Sequence, residues 1–326
     1  MRKIYFFIDL SPSLGLGHFF RCLALAEEAP SFNLTPIFIA DDQTYQDFFR
    51  SWDVGFATSS TIENDSFFVI DTATQINRDL LSFLQSKNSI TTIIDNKTCL
   101  DFKFDFFVDA LFSFEIEGKC PLAKKILAGL DFAIVRSAFS KSNNLLLRER
   151  DNYKTLVCFG GGDDLKRTTF RFLQKLDLLG YRKNVDIIAG VAFDEVKSIT
   201  KGWVNTEVIR SASDMVNLMS KSNLIVTKMG VTVFESISLG IPTLLVEPTV
   251  EHVKLSKFVS EKNRNWPAIS FGIDSEENLI KAAQKLIRLK EHPSDLTDLK
   301  NHCSSFIDGQ GASRVLREMI TYGKFL

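Results

Sequence analysis

Residues 14–22 read Leu-Gly-Leu-Gly-His-Phe-Phe-Arg-Cys, between the apolar run KIYFFIDL and the helix-forming stretch LALAEEAP. Gly15 and Gly17 allow a sharp turn and a close approach of the backbone to a ligand. A helix from His18 to about Ala29, stopped by Pro30, would aim its free N–H groups and positive dipole end at whatever lies beyond the strand. A histidine at that junction can cap the helix, touch a phosphate or act as a base, and its ordinary pKa near working pH suits the last role. The spacing is not a dinucleotide fingerprint, because the third glycine of G-x-G-x-x-G falls on Phe20.

Two further junctions have the same character. LVCFGGGDD places Gly160, Gly161 and Gly162 after an apolar run and ahead of Asp163 and Asp164. This suits an anion-binding nest or a plain turn with an aspartate cap, and no third carboxylate completes a metal pair. NLIVTKMGVTVFESISLGIPTLLVEP ends a strand at Lys228 and turns at Gly230. A short helix through Thr232 and Glu235 follows, stopped by Gly240 and Pro242. N–H groups around Gly230–Thr232 could hold a diphosphate without a metal, and the Glu235 carboxylate suits two adjacent ribose hydroxyls.

Elements that position these residues follow from hydropathy. Short, continuously apolar runs alternate with helical patterns, as a parallel sheet covered on both faces requires. Strands are expected at 3–9, 36–40, 66–70, 90–95, 105–110 and 132–136, then at 155–159, 185–190, 205–209, 224–228, 243–247 and 268–271. Helices are expected at 18–29, 76–86, 165–179, 213–221, 231–239, 253–262 and 275–290. The polar stretch SKSNNLLLRERDNY at 140–153 marks a domain boundary near 150. The expectation is two doubly wound, Rossmann-like α/β domains, 1–150 and 151–326, facing a cleft, with the last helix at about 311–322 crossing back to the first.

The whole chain fits that frame. It has 326 residues, 45% hydrophobic, 24% charged, with net charge −1. Such a balance speaks against nucleic acid or an anionic membrane as partner. No apolar stretch reaches a membrane span, and the start is too short for a signal peptide's core. Cys22, Cys99, Cys120, Cys158 and Cys303 are scattered, as are the four histidines, which favours reduced thiols in the cytoplasm and no local metal motif. The 29 phenylalanines fall inside strand and helix patterns and read as core.

The set of motifs, in this order, resembles the UDP-2,4-diacetamido-2,4,6-trideoxy-altropyranose hydrolases of pseudaminic acid biosynthesis. These are grouped with spore-coat polysaccharide proteins and, more distantly, with glycosyltransferases of GT-B fold. Asp9, Gly15, Gly17, His18, Arg21 and Cys22 match the opening pattern, FGGGD at 159–163 the entry to the second domain, and GLDFAIVRSAF at 129–139 another family segment. GVTVFESISLGIP puts Glu235 at the superfamily's ribose-binding glutamate. Four places depart from the pattern. Asp71-Thr72-Ala73 stands for Asp-x-Tyr and Asp95-Asn96 for Asp-Asp. Ala138, two residues after Arg136, stands for a glutamate, and Glu251-His252 for Asn-Gln.

What the resemblance implies is metal-independent hydrolysis of a UDP-activated amino or deoxy sugar, with no cofactor and UDP as the product. His18 would serve as base, and Asp9, with Asp71 and Asp95, would orient His18 or the sugar. Gly15, Gly17, Gly161, Lys228, Gly230, Thr232 and Glu235 would line the nucleotide. A GT-B glycosyltransferase, with an acceptor hydroxyl in place of water, is the alternative.

Overall fold

The computed structural model describes every residue except 11–15, 77, 97, 99–101, 113–115, 117–120, 142–152, 160–166, 211–213, 304–305 and 324–326. Gly15, Gly161, Asp163, Asp164, Cys99 and Cys120 therefore lie outside the described residues. The chain forms two compact units, Met1–Ser137 with Gly309–Leu326, and Ala138–Asp308.

The first unit is built on seven strands: β1 (Arg2–Ile8), β2 (Leu34–Ile39), β3 (Phe56–Ala57), β4 (Phe67–Asp71), β5 (Ile90–Ile94), β6 (Phe104–Asp109) and β7 (Ala123–Ala128). They pair in parallel in the order β3-β2-β1-β4-β5-β6-β7. Alternate side chains of each strand enter opposite layers. Ile4, Phe6 and Ile8 pack with helix α1 (Gly17–Glu28) and with Val315, Leu316 and Met319 of the helix Gly311–Gly323. Tyr5, Phe68, Ile70 and Phe107 face the other way, onto Leu81 and Leu84. The phenylalanines do core work here: Phe19 meets Phe48 edge-on at 4.9 Å between ring centres, and Phe6 stacks on Phe38 at 5.0 Å.

The run at 132–136 forms no strand. Ala133, Ile134 and Val135 are buried, yet Ala133 is pressed against Gly311 at the start of the last helix. An apolar run reports burial, and here a helix supplies it in place of a pairing partner. The edge of the sheet is instead β7, whose lysine pair and mostly exposed residues hide it from a hydropathy reading. The helix Gln43–Ser51 also escapes that reading; it is capped by Asp42, which accepts from the Tyr45 N–H at 3.0 Å.

The second unit has six parallel strands: β8 (Thr155–Val157), β9 (Val185–Ile188), β10 (Glu207–Ile209), β11 (Leu224–Thr227), β12 (Thr243–Glu247) and β13 (Ala268–Ile273). Their order is β10-β9-β8-β11-β12-β13. Counted within its own unit, each sheet runs 3-2-1-4-5-6, with a seventh strand added in the first. The chain order reverses between β1 and β4 in one sheet and between β8 and β11 in the other. In doubly wound sheets that switch point, at the carboxyl ends of the strands, is where ligands bind.

Candidate functional site

The first switch point carries a buried charge network. Ile8 stands opposite Asp71 in the β1–β4 pairing, so the loop that leads from β1 to His18 leaves the sheet beside the end of β4. Helix α1 starts at Gly17, and its N-cap, Leu16, makes no side-chain cap bond. The His18 side chain turns to Asp71, with Nδ1 at 2.6 Å from Oδ1. Arg21, one turn further along α1, donates from Nη2 to Asp71 Oδ1 at 2.7 Å, from Nε to Asp71 Oδ2 at 2.9 Å, and from Nη1 to Asp95. Asp95 follows β5, is held with φ +49°, and accepts from the Leu111 N–H at 3.1 Å.

An ionised carboxylate only accepts, so Asp71 places the ring proton on Nδ1 and leaves Nε2 of His18 with a lone pair. The 3.3 Å approach of Arg21 Nη2 to Nδ1 is then a contact beside a donor, not a second bond to it. Burial works against the Arg21 charge, but Asp71 and Asp95 outweigh it and hold the guanidinium above its ordinary range. Burial pushes the Asp95 carboxyl up to about 6, with Arg21 pulling it down and Asp109 and Asp71 pushing it further up. A fully buried carboxylate that fixes the tautomer of a half-buried histidine can make that histidine a general base.

Asp9 is placed otherwise. Its Oδ2 accepts from the Ala73 N–H, the Thr74 N–H and the Thr74 hydroxyl, each at 3.0 Å, which ties the end of β1 to the loop after β4. Asn96 braces the same loop from the other side. Its Nδ2 donates to the carbonyls of Thr72 and Thr74 at 2.7 and 2.9 Å and to the Thr72 hydroxyl at 3.0 Å. A carboxylate could not donate to these oxygens, which gives the asparagine in Asp95-Asn96 a physical reason. Next to the loop is a cavity of about 330 Å³ with Asp9, Asp41, Asp42, Tyr45, Thr74 and Gln75 on its polar side. That is the size of a small-ligand pocket. Arg136 lies apart from these groups and forms a forked pair with Glu27, from Nε at 2.9 and 3.1 Å.

The second unit gathers Lys228, Gly230, Thr232 and Glu235 around one turn. Lys228 follows β11, and Gly230, at φ +156° and ψ −165°, is the N-cap of the helix Val231–Ser238. That backbone conformation is open essentially to glycine alone. Thr232 is half-buried in the first turn and Glu235 is buried in the second. Glu247, which closes β12, is fully buried and accepts from the Met229 N–H at 2.9 Å. Burial pushes its carboxyl up to about 7, against the hydrogen bonds it receives and the charge of Lys228. His252 sits in the first turn of the helix Val250–Lys262, its Nδ1 at 2.8 Å from the Thr249 hydroxyl. Burial and neighbouring Lys228 push its imidazole down to about 4, so it is neutral near pH 7.

Sequence reasoning named Asp71, with Asp9 and Asp95, as a candidate to orient His18 or the sugar without choosing among them, and it treated Arg21 only as part of a motif. It passed over Glu247 altogether. A charged residue closing the apolar run TLLV was the available signal. Among the described residues no group of three or more His, Cys, Asp or Glu side chains could hold a metal ion. No helix among them is long and apolar enough to cross a membrane.

No family model matches the chain. Among curated proteins it is 25% identical over 268 residues to the uncharacterized protein MJ1062 of Methanocaldococcus jannaschii, covering 75% of this chain and 55% of that protein. It is 23% identical over 199 residues to the spore coat polysaccharide biosynthesis protein SpsG of Bacillus subtilis, covering 59% of this chain and 57% of that protein. The matched regions thus span little more than half the length of these relatives. Among solved structures, MnaA of S. aureus with UDP superposes with a TM-score of 0.65 at 13% identity, covering 100% of this chain and 98% of that one. MurG of Acinetobacter baumannii superposes with a TM-score of 0.64 at 11% identity, covering 98% and 100%. At such identities the likeness is one of fold: two parallel sheets, each flanked by helices, in the doubly wound α/β arrangement of GT-B-like proteins.

Proposed function

We propose that the chain is an enzyme acting on a UDP-activated sugar. The second unit holds UDP, through the Lys228–Thr232 turn and Glu235, and His18 of the first unit is the general base. The observation that carries this reading is the hydrogen bond from His18 Nδ1 to Asp71, which leaves Nε2 as the acceptor. In the reaction Nε2 takes a proton from a hydroxyl nucleophile, whose oxygen forms a bond to the anomeric carbon. The bond from that carbon to the diphosphate breaks, and UDP leaves with the electron pair. Backbone N–H groups at the start of the helix Val231–Ser238 would stabilise the charge that gathers on it. Asp71 stabilises the imidazolium while Arg21 holds the Asp71 carboxylate in place with two hydrogen bonds. No step requires a metal.

The nucleophile is an acceptor hydroxyl or water. Transfer is favoured by the company the fold keeps, which includes a structure described as a glycosyltransferase from Rickettsia africae and UDP-N-acetylglucosamine 2-epimerases. Hydrolysis is favoured by the sequence resemblance described above, which makes a UDP-2,4-diacetamido-trideoxy sugar the first substrate to try. Incubation with UDP-sugar and no acceptor separates the two. Free sugar and UDP in equal amounts identify a hydrolase. UDP release that requires an added saccharide or lipid acceptor identifies a transferase. No turnover of any UDP-sugar under either condition would overturn the proposal.

A further inference from the structure

We infer that Glu247 is a positioning residue for the Lys228–Thr232 turn, acting through its hydrogen bond to the Met229 N–H. This inference rests on the UDP site proposed above and adds to it a residue from the neighbouring strand.

The geometry begins with an irregularity. Along β12 and β13, Leu245 stands opposite Ser270 but Glu247 stands opposite Ile273, so β13 carries one extra residue there. A bulge of this kind re-aims the side chains beside it, and Gly272, at φ +84°, supplies the bend. The Glu247 side chain lies within the unit, with no exposure to solvent. Its Oε2 accepts from the Met229 N–H at 2.9 Å and its Oε1 receives the Ser270 hydroxyl at 3.5 Å. Ser270 is held in turn by the Ser256 hydroxyl at 3.2 Å. Three elements therefore converge on one carboxylate: the turn after β11, the bulge in β13 and the helix Val250–Lys262.

An N–H committed to Glu247 fixes the direction of its peptide plane. Met229 comes immediately before Gly230, so its orientation sets the course of the backbone into the first turn of the helix Val231–Ser238. The Val233 N–H of that turn bonds the Gly230 carbonyl at 3.1 Å, and the N–H groups before it, at Val231 and Thr232, are the ones offered to an anion. A carboxyl buried behind the turn keeps the inward N–H occupied and leaves the outward ones aligned. The cost of burying an acid at the end of a strand, where an apolar side chain would pack readily, is explained by that task. The residue touches no ligand itself, and its influence falls on the phosphates, not on the uracil or ribose.

The test compares UDP with uridine by calorimetry on the full chain. Glu247→Leu removes the acceptor at similar volume, and Glu247→Gln keeps an acceptor oxygen for the Met229 N–H. The expected result is a loss of UDP affinity of about tenfold or more in Glu247→Leu, the usual effect of losing a hydrogen bond to a charged group. Uridine affinity should stay unchanged, and Glu247→Gln should bind UDP as the wild type does. A folded Glu247→Leu protein with the wild-type ratio of UDP to uridine affinity would overturn the inference. So would an equal loss for both ligands, which marks a merely structural role. If Glu247→Leu does not fold, the wild type still decides. UDP, but not uridine, should shift the Met229 amide resonance and slow its exchange with solvent; an amide that UDP leaves unmoved overturns the inference. Wild-type protein with no affinity for UDP would instead refute the proposed nucleotide site.

Discussion

At the scale of residues, the two sites differ in how they keep charge out of water. His18, Arg21, Asp71 and Asp95 form a network in which one guanidinium serves two carboxylates. His18→Asn should leave folding and UDP affinity near wild type, because no side-chain cap of α1 is lost. Turnover should fall by roughly 10²–10⁴-fold, the usual worth of a general base. A folded variant turning over at the wild-type rate would remove the base from the mechanism. Arg21→Met should be worse for stability than for chemistry, since it strands Asp71 and Asp95, and a broken buried pair costs about 3–5 kcal/mol. Chemical denaturation measures it, and a loss under about 1 kcal/mol would contradict a buried pairing of Arg21 with the two carboxylates. Glu247 gives a pH dependence of definite sign. Its folded pKa of about 7 lies above the ordinary 4.5. Its contribution to stability is therefore complete below pH 4.5 and is lost as pH rises through 7. Glu247→Gln should gain on the wild type between pH 5 and pH 8 by up to about 3 kcal/mol. His252, whose pKa is lowered, loses stability as pH falls from 6.5 towards 4, and it cancels in that comparison because both proteins carry it.

Elements explain which glycines tolerate a side chain. Gly311 opens the helix Gly311–Gly323, and a Cβ there would lie 2.0 Å from the carbonyl oxygen of Ala133, a backbone atom that cannot swing aside. Gly311→Ala should cost at least the roughly 1–3 kcal/mol of overpacking and lower Tm. Gly17, at the start of α1, has nothing within 4 Å of the same added carbon. Gly17→Ala should keep Tm, and a fall in turnover without loss of stability would show that a ligand comes close to that backbone. Equal Tm changes in the two variants would contradict this account of the helix contacts.

On the scale of the whole molecule, both units repeat one strand order, and each candidate site lies at its own unit's switch point. The proposed chemistry divides accordingly, with proton transfer on one unit and nucleotide binding on the other. In the proposed reaction, helix N-terminal N–H groups would take the place of a cation in holding diphosphate. Turnover should therefore persist in excess EDTA. Activity lost to the chelator and restored by magnesium or manganese would bring Asp163 and Asp164 into the site.

Much of this was legible in sequence because it depends on neighbours along the chain. Apolar runs marked eleven of the thirteen strands found among the described residues, since a strand buried on both faces has no polar alternation to break it. Glycines at strand ends marked the turns, and Gly230 has the backbone angles that explain its presence. Which of Asp9, Asp71 and Asp95 meets His18 was not legible, because 53 residues separate His18 from Asp71 and only the β1–β4 pairing sets them side by side. The same holds for Glu247, whose role depends on a bulge in β13, and for Ile134 and Val135, buried in the fold without forming a strand. Local sequence determined where the chain turns and which segments are buried. The order of strands in each sheet, a property of contacts between distant segments, decided which side chains meet and what they can do.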